Sequence, residues 1–106
     1  MRQMPNRAIG SSYGYTFSRK VDGQKVDLTG YTLQMKIKGP DGLDTAISRA
    51  ITQLSQDNLE FIINITPAET NQLGVGVHTV CHKLENPAIS YSNEESFSLK
   101  LTGSCF

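Results

Sequence analysis

Two histidines and a cysteine near position 80 are the first residues whose types and spacing could do chemistry. His78 and His82 lie four positions apart, with Cys81 beside the second histidine. On a helix this spacing places both imidazoles on one face, where they could bind a metal ion. On a strand they lie two pleats apart, roughly 13 Å, and Cys81 points to the opposite face. The neighbouring residues alternate as in a strand, so we interpret both histidines as surface residues and predict no metal site.

The other polar side chains do not form a pattern that supports catalysis. A serine nucleophile needs a nearby base and a turn that presents its hydroxyl. No such context surrounds the serines at the four positions considered, which are Ser11, Ser12, Ser48 and Ser55. We interpret three aspartates as turn formers, because their side chains can bond neighbouring backbone amides; they are Asp22, Asp27 and Asp41. Glu94 and Glu95 are expected on a solvated rim. The sequence therefore predicts no catalytic residue, no metal ligand and no cofactor.

The two cysteines, Cys81 and Cys105, could form one disulfide or none. A hairpin with its loop at residues 86–93 would place Cys81 opposite Leu99. Cys105 would then lie well beyond the Cα separation of about 4.4 to 6.8 Å that a disulfide requires. Free thiols in a protein assembled in the cytoplasm are the favoured interpretation.

Length and charge limit the classes of partner. The chain has 106 residues, which fits one domain, and its ten basic residues balance ten acidic residues. A chain without net charge or a basic cluster lacks the attraction on which nucleic-acid and anionic-membrane binding depends. No apolar run approaches the roughly 18 residues of a membrane helix. The first dozen residues lack the apolar block of a secretory signal, so we expect no export.

Alternation of apolar and polar residues predicts several short strands. Leu33, Met35 and Ile37 give the clearest example, since every residue between them is polar. Similar alternation marks strands with the apolar or aromatic sets Tyr13/Tyr15/Phe17, Leu59/Phe61/Ile63 and Phe97/Leu99/Leu101, and a long strand at residues 75–85. Turn sequences rich in Gly, Pro, Asn and Asp separate these strands. Residues 88–95 are polar and are expected to form a loop.

Two segments carry helical signals of different strength. Residues 44–56 fit a helix through Ile47, Ala50, Ile51 and Leu54, or a strand with Ile47 and Ile51 facing inward. The all-β surroundings favour the strand, which we predict. Thr66, Pro67 and Glu69 form a capping box with proline at the first helical position, and Gly74 can end the segment. We predict one short helical turn near residues 67–73.

These elements predict an all-β protein. The expected fold is an Ig-like antiparallel β-sandwich of about seven strands, with residues 13–106 as a single domain. Residues 1–12 contain Pro5, Gly10, Ser11 and Ser12 and are expected to form an extended N-terminal arm rather than a strand. In an assembly of many copies such an arm could lie across a neighbour.

Three segments, taken in order, resemble a family of small phage virion proteins. The first contains Val-Asp-Gly-Gln at residues 21–24 and Asp-Leu-Thr-Gly-Tyr at residues 27–31. The second contains Thr-Pro-Ala-Glu-Thr at residues 66–70 with Leu73 and Gly74, and the third is the long strand that follows. The pattern is similar to the N-terminal domain of phage baseplate upper proteins and to tail-associated proteins. The resemblance implies an Ig-like sandwich that attaches fibres or neighbouring rings to a virion and catalyses nothing.

The first functional hypothesis is therefore a bacteriophage virion structural protein of the tail or baseplate. Its expected partners are other virion proteins in a multi-copy symmetric assembly, formed in the cytoplasm of the bacterial host. The alternative is a soluble β-sandwich module that binds carbohydrate or protein, for which four tyrosines could supply exposed contacts; they are Tyr13, Tyr15, Tyr31 and Tyr91. A small hydrolase, the third hypothesis, lacks a nucleophile and base in suitable positions.

Overall fold

The computed structural model describes residues 6–104, and strands dominate them, as the alternation predicts. The first five strands are β1 (Asn6–Ala8), β2 (Tyr13–Phe17), β3 (Lys20–Val21), β4 (Gln24–Lys25) and β5 (Thr32–Lys38). They are followed by β6 (Asp44–Ile51), β7 (Phe61–Ile65), the helix α1 (Pro67–Leu73) and β8 (Gly76–Asn86). A 3-10 turn at Pro87–Ile89 leads into the last strand, β9 (Tyr91–Thr102).

The main sheet has five strands in the order β1-β9-β8-β5-β6. β8 and β9 form a long antiparallel hairpin in which His78 lies opposite Leu99. β1 runs parallel to β9, with Asn6 opposite Lys100. The sheet is therefore mixed, and the prediction of a purely antiparallel arrangement is wrong at this edge. The reason is that β1 and β9 are distant in sequence, so no tight turn dictates their relative direction.

A second sheet is formed by β2 and β7, paired antiparallel with Tyr15 opposite Ile63. The segment after β6 extends this layer, because Leu54 forms a bridge with Phe61. A separate hairpin joins β3 to β4 through Asp22 and Gly23, whose φ angles are 52° and 80°. Two successive residues with positive φ are what a two-residue hairpin turn requires, and the sequence predicts this turn.

The hydrophobic core lies between the main sheet and the second sheet. Its fully buried members come from both layers and include Leu33, Met35, Ile37, Phe61, Ile63, Ile65, Val80, Leu84, Leu99 and Leu101. In β5 the buried residues alternate with exposed ones along most of the strand. The second sheet contributes the half-buried rings of Tyr13, Tyr15 and Phe17, which pack against this cluster. Alternation therefore predicts the core correctly in these strands.

The ambiguous segment is a strand from Asp44 to Ile51, as predicted. Ile47 and Ile51 are 5 % and 8 % exposed, so both point inward. The pairing with β5 is irregular between Lys36 and Lys38, where β6 has extra residues. Such a bulge also blunts an edge strand against unwanted pairing.

The helix α1 begins and ends where the sequence predicts. The Thr66 hydroxyl accepts a hydrogen bond from the Glu69 N–H at 3.2 Å, and the Glu69 carboxylate accepts one from the Thr66 N–H at 3.0 Å. Pro67 occupies the first turn, and Gly74 ends the helix with φ 78°. The capping box is therefore fully formed.

The expectation that residues 1–12 form no strand is wrong for Asn6–Ala8, which is β1. After β1, the half-buried Ile9 packs against the core. The buried Thr70 hydroxyl accepts a hydrogen bond from the Gly10 N–H at 3.0 Å and lies 2.9 Å from the Ser11 carbonyl oxygen. A sequence pattern cannot reveal such anchoring, because the partner lies 60 residues away. Residues 1–5 lie outside the described residues.

The loop expected at residues 88–95 is shorter than predicted. The Asn86 side chain accepts a hydrogen bond from the Ala88 N–H, and Ser90 adopts a left-handed conformation, which together close the hairpin within a few residues. β9 then begins at Tyr91, and Cys81 lies opposite Ser96 rather than Leu99. Residues 92–96 are all exposed and polar. Alternation identifies a strand only where one face is apolar and buried, so it does not predict this part of β9.

Candidate functional site

His82 lies inside the molecule, and the prediction of a surface position is wrong. Its side chain is 3 % exposed, and its Nε2 atom is 2.7 Å from the Tyr15 hydroxyl. The rings of Phe17 and Phe97 lie 5.1 Å and 5.7 Å from the imidazole, measured between ring centroids. His82 is thus part of an aromatic cluster between the two sheets. The alternation placed it on the face shared with Val80 and Leu84, and the covering aromatic strand β2 makes that face the inner one.

His78 is also buried, contrary to the same prediction, with 1 % of its surface exposed. Its Nε2 atom lies 2.9 Å from the Gly74 carbonyl oxygen. A carbonyl only accepts, so Nε2 is the donor in this hydrogen bond. The Nδ1 atom is buried and has no hydrogen-bond partner in the described part of the chain. His78 therefore connects the end of α1 to β8 and has a structural role.

Cys81 points away from both histidines, as the strand geometry predicts. It is a half-buried free thiol. Among residues 6–104, no group of three His, Cys, Asp or Glu side chains is arranged to hold a metal ion. Cys105, the other cysteine, lies outside the described residues, so the prediction about its pairing stays a prediction.

The three aspartates lie in turns, as predicted. The Asp27 carboxylate accepts a hydrogen bond from the Thr29 N–H at 2.8 Å, and this contact with Thr29 lowers the pKa of Asp27. The Asp41 carboxylate accepts one from the Leu43 N–H at 3.0 Å. Asp22 has the positive φ required by its hairpin. All three residues thus define local backbone structure.

The four serines considered as nucleophiles are dispersed. Ser55 donates a hydrogen bond to the Asp57 carboxylate at 2.6 Å and accepts one from the Glu60 N–H at 3.1 Å. That pair closes a turn in which the hydrogen bond from Ser55 lowers the pKa of Asp57. Ser48 is exposed on β6, opposite Lys36. Ser11 and Ser12 lie between β1 and β2.

Arg49 joins β6 to the start of α1. Its guanidinium forms an ion pair with Glu69 through two hydrogen bonds and donates a third to the Asn64 carbonyl oxygen at 2.8 Å. Partial burial alone would raise the pKa of Glu69, but the hydrogen bonds from Arg49 and Thr66 outweigh it and leave the pKa below its ordinary value. These three hydrogen bonds join Arg49 to β7 and to the first turn of α1.

None of the four tyrosines proposed as ligand contacts is a fully exposed platform. All are half-buried and pack against the core. Tyr13 stacks on Tyr15 with ring centroids 5.2 Å apart, and Tyr31 meets Tyr91 edge-on at 5.9 Å. The first pair covers the His82 cluster, whereas the second pair lies at the end of the β8–β9 hairpin.

Arg19, which no sequence pattern singles out, lies against the second tyrosine pair. Its guanidinium carbon is 3.9 Å from the centroid of the Tyr91 ring, and its Nη1 atom donates a hydrogen bond to the Tyr31 hydroxyl at 2.6 Å. The Arg19 carbonyl oxygen accepts from the Val26 N–H at 3.0 Å. Both backbone and side chain of this residue are thereby held in place.

A cleft of about 320 Å³ opens beside Arg19. Its lining includes Phe17 at the end of β2, Arg19, Lys20 at the start of β3, and Tyr91 and Glu95 of β9. Glu95 is opposite His82 in the sheet but is exposed. The cleft therefore combines an aromatic wall with charged groups of both signs.

A second concavity of about 320 Å³ lies on the outer face of the main sheet. Its lining includes Lys36, Lys38, Cys81, Lys83 and Glu94. Lys83 stands opposite Glu94 across the β8–β9 pair, so opposite charges adjoin there.

No known family model matches the sequence. No curated protein has significant sequence similarity to it. Among the described residues, no helix is both long and apolar enough to cross a membrane.

Proposed function

We propose that this protein is a structural protein of a bacteriophage particle, in the tail or baseplate, which assembles through protein–protein contacts and attaches fibres or neighbouring rings. It is not an enzyme in this proposal. Its partners are other virion proteins, including further copies of this chain, rather than nucleic acid or a membrane. Its place is the virion, assembled in the cytoplasm of the bacterial host.

The observation that carries the proposal is the open edge of β9. In the sheet, β9 pairs with β8 from Tyr91 to Leu101, but β1 covers only residues 100–102 on the other side. Among the described residues, 91–99 have no strand partner on that edge. Unpaired N–H and C=O groups along an edge strand can pair with a strand of another chain. A long edge of this kind suits a subunit that joins its neighbours.

The segments that resemble phage virion domains give further support. The Asp-Leu-Thr-Gly segment forms a turn in which the Asp27 side chain bonds Thr29, and Gly30 has φ 87°. Leu28 of that turn is fully buried in the core. The second segment forms the capped helix α1. The turn and capping residues of both motifs thus define local backbone structure.

The finer architecture proposed here is an Ig-like sandwich. Two features support it: the two sheets enclose one core, and the chain passes from β6 of one sheet to Leu54 beside β7 of the other. Strands that change sheet in this way are common in sandwiches with Greek-key connections. Helix α1 bridges back from β7 to β8.

Mass spectrometry and cryo-electron microscopy of purified phage particles test the proposed function. We expect the polypeptide in particles at a fixed copy number, in density for a symmetric ring or collar. Hydrogen exchange should be slower at residues 91–99 in particles than in the isolated chain, because a neighbour covers the edge. Absence of the polypeptide from particles of the phage that encodes it would overturn the proposal.

The alternative of a soluble module that binds carbohydrate or protein keeps one supporting observation, the cleft beside Tyr91. Screening the isolated chain on a glycan array tests it. Specific binding to a neutral glycan, lost in Tyr91→Ala, would favour this alternative over the virion protein.

A further inference from the structure

We propose that the cleft beside Arg19 binds a carboxylate side chain of a neighbouring polypeptide, with Arg19 as the residue that recognises it. The inference rests on the proposed function only for the class of partner, a polypeptide. The chemistry of recognition comes from the cleft itself.

The first argument is that Arg19 has donors to spare. A guanidinium carries five N–H groups, and the Tyr31 hydroxyl takes only one of those of Arg19. In the described part of the chain, no carboxylate oxygen lies within ion-pair distance of this guanidinium. Arg49 is the contrast within the same protein, since Glu69 neutralises it. Among residues 6–104, Arg19 thus has no ion-pair partner, and its side chain lines a cleft.

The second argument is preorganisation. Stacking on Tyr91 at 3.9 Å and the hydrogen bond to Tyr31 fix the plane of the guanidinium before any ligand arrives. A planar, fixed guanidinium matches the two oxygens of a carboxylate, and little side-chain entropy remains to be lost on binding. The neighbouring Lys20 also lines the cleft and adds a second positive charge.

The third argument concerns the size and lining of the cleft. About 320 Å³ accommodates one or two side chains, and Phe17 supplies an apolar surface for the methylene groups of a glutamate. One face of Tyr91 is already covered by Arg19, which leaves less aromatic surface on which a sugar ring could stack. These features favour an acidic peptide segment over a glycan.

Glu95 opposes the proposed ligand and therefore provides a sensitive test. Glu95 is exposed and lines the same cleft as Arg19, so its negative charge repels an incoming carboxylate. Glu95→Gln removes this charge and nearly keeps the shape of the side chain. It should therefore tighten binding of the carboxylate by reducing repulsion.

The experiment is a titration of the isolated chain with a capped Gly-Glu-Gly-Glu-Gly peptide, followed by ¹H–¹⁵N NMR at low salt. We expect shifts at the Arg19 Nε–H and at Tyr91, with a Kd on the order of 1 mM. Arg19→Gln should weaken binding by about tenfold or more. The peptide affinity of Arg19→Lys should lie between those of the original protein and Arg19→Gln. The lysine variant replaces the glutamine variant in the test if the latter does not fold. Glu95→Gln should strengthen binding, and the Gly-Gln-Gly-Gln-Gly peptide should not bind.

Arg7→Gln is the matched control, because Arg7 also stacks on a tyrosine, Tyr13, but does not line the cleft. It should leave binding unchanged. No shifts at Arg19 with the glutamate peptide would overturn the proposal, as would equal weakening by Arg7→Gln. Tighter binding of D-glucuronate than of the peptide through Arg19 would overturn the assignment to a polypeptide. None of these results depends on whether the chain is found in phage particles.

Discussion

Tyr15 makes a polar contact between the two sheets, inside the aromatic cluster. Its hydroxyl lies 2.7 Å from His82 Nε2 and 3.6 Å from the Met35 sulfur, both on the main sheet. Burial raises the pKa of the Tyr15 phenol well above its ordinary value of 10, and the neighbouring Tyr13 adds to this effect. The neutral phenol therefore fits this position, and the phenolate does not.

We predict that stability depends on Tyr15 at alkaline pH. The folded state holds the Tyr15 proton more tightly than the unfolded chain does. The contribution is therefore fully present below about pH 10 and is lost as the pH rises toward the pKa of the folded state. The loss approaches about 1.4 kcal/mol per pH unit in the free energy of unfolding. Tyr15→Phe should remove this dependence.

Urea unfolding of both proteins between pH 8 and pH 11 measures the effect. At pH 8 the variant should be less stable by about 1 kcal/mol, because it lacks the hydrogen bond to His82. The difference in stability should shrink above pH 10. There the unfolded chain of the original protein loses the Tyr15 proton while the folded protein keeps it, which destabilises the folded state, and the variant has no such group. If the free energies of unfolding of the two proteins change in parallel from pH 8 to pH 11, Tyr15 is not the source of the pH dependence.

At the scale of elements, helix α1 connects three parts of the fold. Glu69 pairs with Arg49 of β6, Gly74 accepts a hydrogen bond from His78 of β8, and Thr70 holds the segment after β1. The helix has only seven residues, so its own hydrogen bonds would not keep it folded in isolation. Its stability depends on these contacts and on its capping box.

We predict that Thr70→Val releases the segment that follows β1. Valine keeps the shape of threonine but leaves the Gly10 N–H without its acceptor, which should cost about 1 to 3 kcal/mol. Hydrogen exchange of the Gly10 amide should accelerate. Thr66→Ala is the matched control: it removes the helix cap at a cost of about 1 kcal/mol and should leave exchange at Gly10 nearly unchanged. Equal exchange at Gly10 in the two variants would refute the anchoring role.

At the scale of the whole molecule, the first and last strands are neighbours. β1 pairs with the end of β9, and Ile9 then packs on the core, so the described N-terminal segment belongs to the fold. The sequence favours an arm there because of Pro5, Gly10, Ser11 and Ser12. No local pattern reveals a three-residue strand whose partner begins 94 positions later. Only long-range pairing stabilises it.

We predict that Ile9→Ser lowers the free energy of unfolding by about 1 kcal/mol or more, since it removes the apolar side chain that packs against the core. Ile89→Ser is the matched control, because Ile89 lies in the hairpin turn and is 57 % exposed. Thermal and urea unfolding should separate the two variants clearly. Similar stability of both would show that the segment after β1 does not contribute to the core.

Local sequence determines much of this protein. The alternation around Leu33, Met35 and Ile37 fixes β5, and the Thr66–Glu69 capping box fixes the start of α1. The residues that determine strand β5, and those that determine the start of helix α1, lie within a few positions of one another in the sequence. Their hydrogen bonds and buried faces therefore follow from local geometry.

The tertiary structure decides what depends on distant partners. It buries His82 under Tyr15 and Phe17 of β2 and buries His78 beside the Gly74 carbonyl, and it pairs β1 with β9 in parallel. It also brings Arg19 to Tyr91, 72 positions away, and so forms the cleft. The physical reason is that burial, strand direction and the position of a charge are set by which elements pack together, and a local pattern of residues does not contain that information.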